Sequence, residues 1–552
     1  MFLQKNKMNK LTKRKYKAHH KLLIILAICA IGLFTSVGMF GVVETSDARY
    51  AEIAREMLES GDYLNPTLLG IKHYHKPPLT YYITVLGYSL FGITAFAARF
   101  FVQLTILVQL VFIYLLSVQL FNSRKSAVWA AVIYFSFPIV LISSRNLTTD
   151  PYLATFVILS MYFWVRYRKS AISGYLYLFA ICLALGFLTK GPLIFIGPLI
   201  FAILYNHIQP SNAKFTLHHI FSLLLFVLIA GSWFYLLIRQ NTDFLKYFVE
   251  HHTIDRFATN DFGRGKPFWY YLAIAPAVGI PWLFILPFLV YKNWEKIIKD
   301  KLYVLLGVGI VIPFLFFSVA SSKLVPYILP LFSLFALVLA QLIEQFGLSK
   351  TQYYLIVAYT ILIALGGLLG AVLPLDFNIP LVVLFLSVVT LLALYLINKF
   401  ILNFSSRVIH TVFAASLFIL LSSGFILSKN QIEVNSTQPL AEFILQNKLN
   451  ENEILVYNKR LPSVSFHLQK SIVSIYDGNN DLNREVQFEE NRQWKQNLVN
   501  LKSETELDRL KQIMEKKKTV LILYKNRIPD NRKWLLDYYS HSKDYNKWQI
   551  YY

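Results

Sequence analysis

The chain has 552 residues, 56% of them hydrophobic and only 15% charged, with a mean hydropathy of +0.48. One water-soluble core cannot hide that much apolar surface, so a bilayer is the solvent the composition calls for. The formal charge of +23 does not select nucleic acid as a partner, because nothing globular follows the basic N-terminus to read bases; Cys29 and Cys182 sit inside apolar runs and read as small hydrophobes.

In chain order, Lys5, Lys7, Lys10, Lys13, Arg14, Lys15, Lys17 and Lys21 precede the first apolar run. Residues 1–21 therefore read as a cytoplasmic anchor that orients the first helix. No small-residue cleavage site follows Val43, which argues against a removable signal peptide. Apolar stretches of bilayer-spanning length are expected at 22–43, 97–120, 127–145, 151–167, 174–189, 191–206, 218–239, 268–290, 303–320, 324–344, 352–373, 378–398 and 408–428, about thirteen crossings. With the N-terminus inside, the inner loops are short and basic, carrying Arg124 and Lys125, Arg166 to Lys169, Lys214, Lys292 to Lys301, Lys350, and Lys399 with Arg407. The opposite loops include the long ones, 44–96 and 240–267, and mix carboxylates, histidines, cations and tyrosines. The fold class expected is an α-helical polytopic membrane protein, with a transmembrane domain over 22–428. An odd number of crossings puts the tail outside. Residues 429–552 read as a small α/β domain there, with strands at Ile454–Tyr457, Ile472–Ile475 and Val520–Tyr524 and a helix at Leu440–Lys448.

The first outer loop opens with ETSDARYAEIAREMLES, helical by pattern. Ser46 is expected to cap that helix, Asp47 to sit in its first turn, and Gly61 to end it. A plain reading is a helix lying flat on the bilayer with its charges solvated. Lys72-His73-Tyr74-His75-Lys76 follows, and Pro77-Pro78 then stiffens the turn and bars helix continuation. A lysine fixed at the membrane surface suits a lipid phosphate. Four more outer corners put charge at the lip of a span: Arg145 to Pro151, Leu188 to Pro192, Gly263 to Tyr271 and Ser318 to Leu324. An ionisable group at that depth is costly and is by default functional.

SDARYAEIAREMLESGDY, HKPPLTYY, RNLTTDP, LGFLTKGP, PWLFILP and SSKLVPYILPLF occur in that order between about residues 22 and 345. Together they resemble the lipid A aminoarabinose transferases and, more broadly, the bacterial protein O-mannosyltransferase-like glycosyltransferases of the GT-C fold. The resemblance implies thirteen transmembrane helices, a periplasmic active site at the bacterial inner membrane and a sugar donor on undecaprenyl phosphate. The implied acceptor is a phosphate of lipid A or another glycolipid, and the implied activity is that of a pentosyl- or hexosyltransferase. Carried over position by position, Asp47 and Asp150 are the catalytic carboxylates. Arg49, Tyr50, Lys76, Arg145, Lys190, Arg264, Lys266, Lys323 and Tyr327 bind substrate or lipid phosphate. Two positions depart from the family pattern. Ser46 stands where the leading catalytic Asp is expected, with Asp47 in the place of a Glu, and His75 replaces a Glu linked to a metal site. A family histidine in the 240–267 loop has His251, His252 and Asp261 as candidates.

The reaction implied is an in-line displacement at the anomeric carbon, with fixed cations stabilising the departing polyprenyl phosphate. A lipid A phosphate arrives ionised and needs no general base, which makes the loss at Ser46 tolerable. No cofactor is required on this reading; a zinc held in part by His75 is the open alternative. Two other readings remain: a transferase using a polyprenyl-linked hexose or hexosamine with another glycan or protein as acceptor, and a flippase for polyprenyl lipids. A transporter calls for paired repeats and mid-span polar breaks, whereas the charges here lie at outer lips.

Overall fold

A computed structural model describes residues 20–209, 214–250, 265–373, 377–478 and 486–552. The basic residues 1–19, and with them Arg264, His251, His252 and Asp261, lie outside the described residues.

Each of the thirteen apolar segments falls on a helix or on a bent pair of helices. The first is α1 (His20–Phe34). The first outer loop then supplies α2 (Ser46–Ser60), a two-residue hairpin of β1 (Thr67–Leu68) and β2 (Ile71–Lys72), and α3 (Leu79–Phe91). Next come α4 (Ala95–Phe121), α5 (Arg124–Phe135), α6 (Pro138–Ser144), α7 (Thr149–Ser170), α8 (Ser173–Lys190), α9 (Ile196–Ile208), α10 (Leu217–Gln240) and the short α11 (Asp243–Lys246). The second half has α12 (Tyr270–Val278), α13 (Trp282–Lys292), α14 (Trp294–Lys299), α15 (Lys301–Val319), α16 (Leu331–Phe346), α17 (Lys350–Val372), α18 (Leu381–Phe400) and α19 (Phe404–Lys429).

Among the described residues, seven helical stretches are long and apolar enough to cross a bilayer, and two bent pairs bring the number to nine. The bends are 61° between α5 and α6 and 103° between α12 and α13. Prolines stand at both breaks, Pro138 opening α6 and Pro281 preceding α13, where a missing N–H costs no ladder bond. The segments at 174–189 and 191–206 form one 36-residue helical stretch interrupted by a 3-10 turn over Gly191–Phe195.

The α2 helix differs from the surface helix expected. Ser46 lies inside it, and Thr45 at the N-cap makes no side-chain cap bond. Gly61 does end it, in a left-handed conformation with φ of 70°, its N–H donating to Met57 O at 3.1 Å. Much of its charged face is buried. Glu52 and Arg55 are buried along with Ile53 and Met57, because the helix is sandwiched between α3 and the C-terminal domain. Each fully buried apolar side chain there contributes about 1.5–3 kcal/mol relative to exposure. Arg55 meets its desolvation through both Glu52 oxygens, at 2.8 and 2.6 Å, and through Glu59 at 2.5 Å.

The C-terminal domain contains α20 (Gln438–Gln446), β3 (Glu453–Tyr457), α21 (Pro462–Leu468), β4 (Val473–Tyr476), β5 (Leu498–Asn500), α22 (Glu504–Lys516), β6 (Thr519–Tyr524), β7 (Ser542–Tyr545) and β8 (Trp548–Tyr551). The six strands order as β5-β4-β3-β6-β8-β7. The first four are mutually parallel, and β8 pairs antiparallel with both β6 and β7. One hydrophobic cluster runs without a break from α2 and α3 into α20, α21 and strands β3, β6 and β8. The domain is thus packed onto the first outer loop rather than tethered beside it.

Candidate active site at the outer helix ends

Two antiparallel neighbours, α7 and α8, place Asp150 in the first turn of one and Lys190 at the last residue of the other. A carboxylate at a helix N-terminus and a cation at a C-terminus both match the macrodipole. Lys190 Nζ donates to Asp150 Oδ1, with side chains only 4% and 9% exposed. The same Nζ lies 4.2 Å from the centre of the Tyr327 ring, a cation–π contact of the desolvated kind. Tyr327 sits in a 3-10 turn, Val325–Ile328, that leads into α16.

That turn is fixed from below by the fully buried Tyr271, whose hydroxyl donates to Leu324 O at 2.8 Å. Lys323 is 3% exposed and donates to Lys266 O at 2.8 Å and to Ala320 O at 2.5 Å. Gly265 bridges to Ser322, and Lys266 N–H donates to Ser321 O at 3.4 Å. Lys323 therefore knits two outer loops together, and Lys266 is left exposed at the lip. Asp150, Lys190, Tyr327, Lys323 and Lys266 form one assembly drawn from four sequence segments.

Asp47, expected as a catalytic carboxylate, stands apart from this assembly. It is 1% exposed. Oδ1 accepts from Leu147 N–H at 2.7 Å and Arg99 Nε at 3.2 Å; Oδ2 accepts from Val43 N–H at 2.8 Å and Arg99 Nη2 at 2.5 Å. Both carboxylate oxygens are thus doubly engaged. Asp47 fixes Leu147, three residues ahead of Asp150, against the start of the first loop. Arg99 is fully buried, and it also donates to the carbonyls of Val37, Phe40 and Gly41. It was missed in the sequence, although a charge within an apolar span is a signal by itself.

Arg145, expected as a phosphate ligand, is held by backbone carbonyls. Its guanidinium donates to Leu33 O at 2.9 Å, Gly32 O at 3.3 Å and Leu420 O at 2.8 Å. It closes the carbonyl end of α1 and ties it to α19, a role suited to a cation at a helix C-terminus.

A second group lies on the first loop. The Tyr50 ring is 5.5 Å from Tyr81, and Arg49 is half-buried near Glu44. Glu44 accepts from Ser463 N–H of the C-terminal domain at 2.9 Å. Burial pushes its carboxyl up to about 7, against the Ser463 bonds and the Arg49 charge that lower it. Lys76 is half-buried, directly ahead of the two prolines that lead into α3. Beside it, the rings of His73 and His75 are 3.9 Å apart, and His75 is 6.3 Å from Tyr247. Among the described residues no group of three or more His, Cys, Asp or Glu is placed to hold a metal ion.

The C-terminal domain reaches this group. Phe488 packs edge-on against Tyr74 at 5.1 Å and Tyr247 at 4.8 Å. Glu489 accepts from Lys72 N–H at 2.6 Å, and Glu490 pairs with Lys72 Nζ at 3.1 Å. No sequence motif marks this contact.

Residues 20–248 match the family profile described as dolichyl-phosphate-mannose-protein mannosyltransferase. The chain is 35% identical over 304 residues to "Undecaprenyl phosphate-alpha-4-amino-4-deoxy-L-arabinose arabinosyl transferase 2" of Proteus mirabilis, covering 54% of this chain and 55% of that one. It is 30% identical over 353 residues to the corresponding transferase 1 of Pseudomonas fluorescens, covering 62% and 64%. The matches thus span a little over half of each relative's length. In fold the likeness is nearly complete: the crystal structure of ArnT from Cupriavidus metallidurans bound to undecaprenyl phosphate superposes with a TM-score of 0.77 at 19% identity, covering 96% of this chain and 97% of that one. The resemblance drawn from the motifs is therefore matched independently in sequence and in architecture, and the chain is aminoarabinose-transferase-like with the GT-C fold.

Proposed function

We propose that the chain is a glycosyltransferase that moves 4-amino-4-deoxy-L-arabinose from undecaprenyl phosphate to a phosphate of lipid A, at the periplasmic face of a bacterial inner membrane. The observation that carries the reading is the assembly of Asp150, Lys190, Tyr327, Lys323 and Lys266 at the outer helix ends, in a chain whose relatives bear the arabinosyl transferase name. In the transfer, the bond from the anomeric carbon to the polyprenyl phosphate oxygen breaks, and an acceptor phosphate oxygen forms the new bond. Negative charge grows on the departing phosphate, and preset cations stabilise it without proton transfer. Lys190 is paired with Asp150, and Arg49, Lys76 and Lys266 are the further cations proposed to meet the donor phosphate, with Arg264 as another candidate. Asp150 holds Lys190 in place and is oriented to receive the amine or hydroxyls of the sugar. Asp47 acts at one remove, by fixing the segment that carries Asp150.

The match of residues 20–248 to the mannosyltransferase family favours one second reading, a polyprenyl-linked hexose or hexosamine as donor. Mass spectrometry of lipid A from cells with and without the gene separates the two. An aminopentose added to a lipid A phosphate is the expected result. A hexose or hexosamine in its place selects the second reading, and unchanged lipid A overturns the acceptor.

A further inference from the structure

A cavity of about 380 Å³ opens between the end of α1, helix α6 and helix α19, and none of the residues assembled around Lys190 lines it. Its walls are mostly apolar: Phe40, Ile142, Ile419 and Leu427 are among them, and Ile142 is 58% exposed. Arg145, Asn146 and Ser423 are its polar lining residues. Arg145 is 7% exposed, and its Nε has no hydrogen-bond partner although its Nη atoms are engaged. Asn146 Oδ1 is also buried and unpartnered. Among the described residues no carboxylate lies within salt-bridge distance of Arg145, and the nearby Arg99 is itself paired with Asp47.

A buried cation with no counter-ion beside an apolar cavity is costly unless an anion reaches it. We propose that this cavity is a binding site for one anionic glycerophospholipid, separate from the transfer site. The lipid phosphate lies against the Arg145 guanidinium, its headgroup beside Asn146, and an acyl chain along Ile142, Ile419 and Leu427. Phosphatidylglycerol has each of these parts. The site also has a mechanical consequence. Val43 lines the cavity and Leu147 follows Asn146, and both donate their N–H to Asp47. A bound lipid would brace the clamp that positions Asp150. The inference does not depend on which sugar is transferred.

The test compares wild-type protein with Arg145→Gln and with Ser423→Phe, which fills the cavity from α19. Full-length protein is reconstituted in nanodiscs of phosphatidylglycerol or of phosphatidylcholine with identical chains, and retained lipid is counted by native mass spectrometry after transfer to detergent. Wild type is expected to retain one phosphatidylglycerol and to unfold at a higher temperature in that lipid than in phosphatidylcholine. Both variants are expected to lose the retained lipid and the shift. Should Arg145→Gln fail to fold, Ser423→Phe alone decides. Equal retention in Ser423→Phe, or no preference of wild type between the two lipids, overturns the proposal. So does retention of added undecaprenyl phosphate that Ser423→Phe abolishes, because the cavity would then belong to the donor.

Discussion

Asp47 and Arg99 form an ion pair in which neither side chain is more than 1% exposed, Nη2 lying 2.5 Å from Oδ2. The pair joins the start of the first outer loop to α4, and through Leu147 N–H it also fixes the segment that leads to Asp150. Removing one partner strands the other as a buried charge, which costs about 3–5 kcal/mol. Asp47→Asn is therefore expected to lower the unfolding temperature of the purified protein strongly, and Asp47→Asn with Arg99→Met to recover part of the loss. An Asp47→Asn protein of wild-type stability but no activity would restore the carboxylate to a direct chemical role.

Asp150 and Lys190 act as a unit, since among the described residues each is the other's only salt-bridge partner and both are nearly inaccessible. Lys190→Met is expected to reduce kcat by about 10²–10³-fold, the range for loss of one preset electrostatic group. Asp150→Asn should fall by a similar factor, and the double variant should be little worse than either single one. Multiplying losses in the double variant would show that the two groups serve separate steps. Tyr327→Leu removes the ring beneath Lys190 and is expected to cost about 0.5–2 kcal/mol of transition-state stabilisation, whereas Tyr327→Phe keeps the ring and most of the rate.

The helices were legible because bilayer length and loop charge are written locally. Asp150, Lys190, Lys323 and Tyr327 were legible because charges and rings at span ends interrupt an apolar pattern. Three things were not. Arg99 lies five residues into α4, and its meaning depends on Asp47, 52 positions earlier. Asp47 and Arg145 sit at outer corners as expected, but Asp47 is held by two backbone N–H groups besides Arg99, and Arg145 by backbone carbonyls, which no side-chain pattern reports. In the C-terminal domain, β3, β4 and β6 have buried apolar runs, while β7 reads Ser-Lys-Asp-Tyr with its first three residues exposed. An edge strand of that kind pairs through its backbone and carries no apolar alternation. The amphipathic signal of α2 was real, yet its polar face is covered by a domain some 400 residues downstream, as Arg55 with Ser465 shows.

Phe488 provides a test of that docking. It is 6% exposed and closes the aromatic cluster of Tyr74, Phe244 and Tyr247. Phe488→Ala is expected to destabilise the junction by about 3–5 kcal/mol and to make the neighbouring segment, 486–497, cleavable by protease while the membrane helices stay folded. Lys72→Ala removes only a partly exposed pair with Glu490, worth about 0–1 kcal/mol, and should leave the protease pattern unchanged. Identical cleavage of wild type and Phe488→Ala would show that the domain docks without this contact.

The same junction carries two titrating groups with opposite effects on stability. His467 accepts from Val42 N–H through Nε2 at 3.2 Å, so it must be neutral in the folded protein. Burial, reinforced by the Arg99 charge, lowers its pKa to about 4 from an ordinary 6.5. Between those values the unfolded chain binds a proton that the folded one excludes, so this contribution is full above pH 6.5 and is lost as pH falls towards 4. Glu44 runs the other way. Burial raises its folded pKa to about 7 from 4.5, so between pH 4.5 and 7 the folded state holds the extra proton and stability declines as pH rises. Thermal unfolding between pH 4.5 and 7 should therefore separate the two. His467→Gln keeps an acceptor for Val42 and is expected to lessen the acid-side loss, whereas Glu44→Gln is expected to remove the decline towards neutral pH. Parallel shifts of both variants across the whole window would mean that neither group changes its protonation on folding.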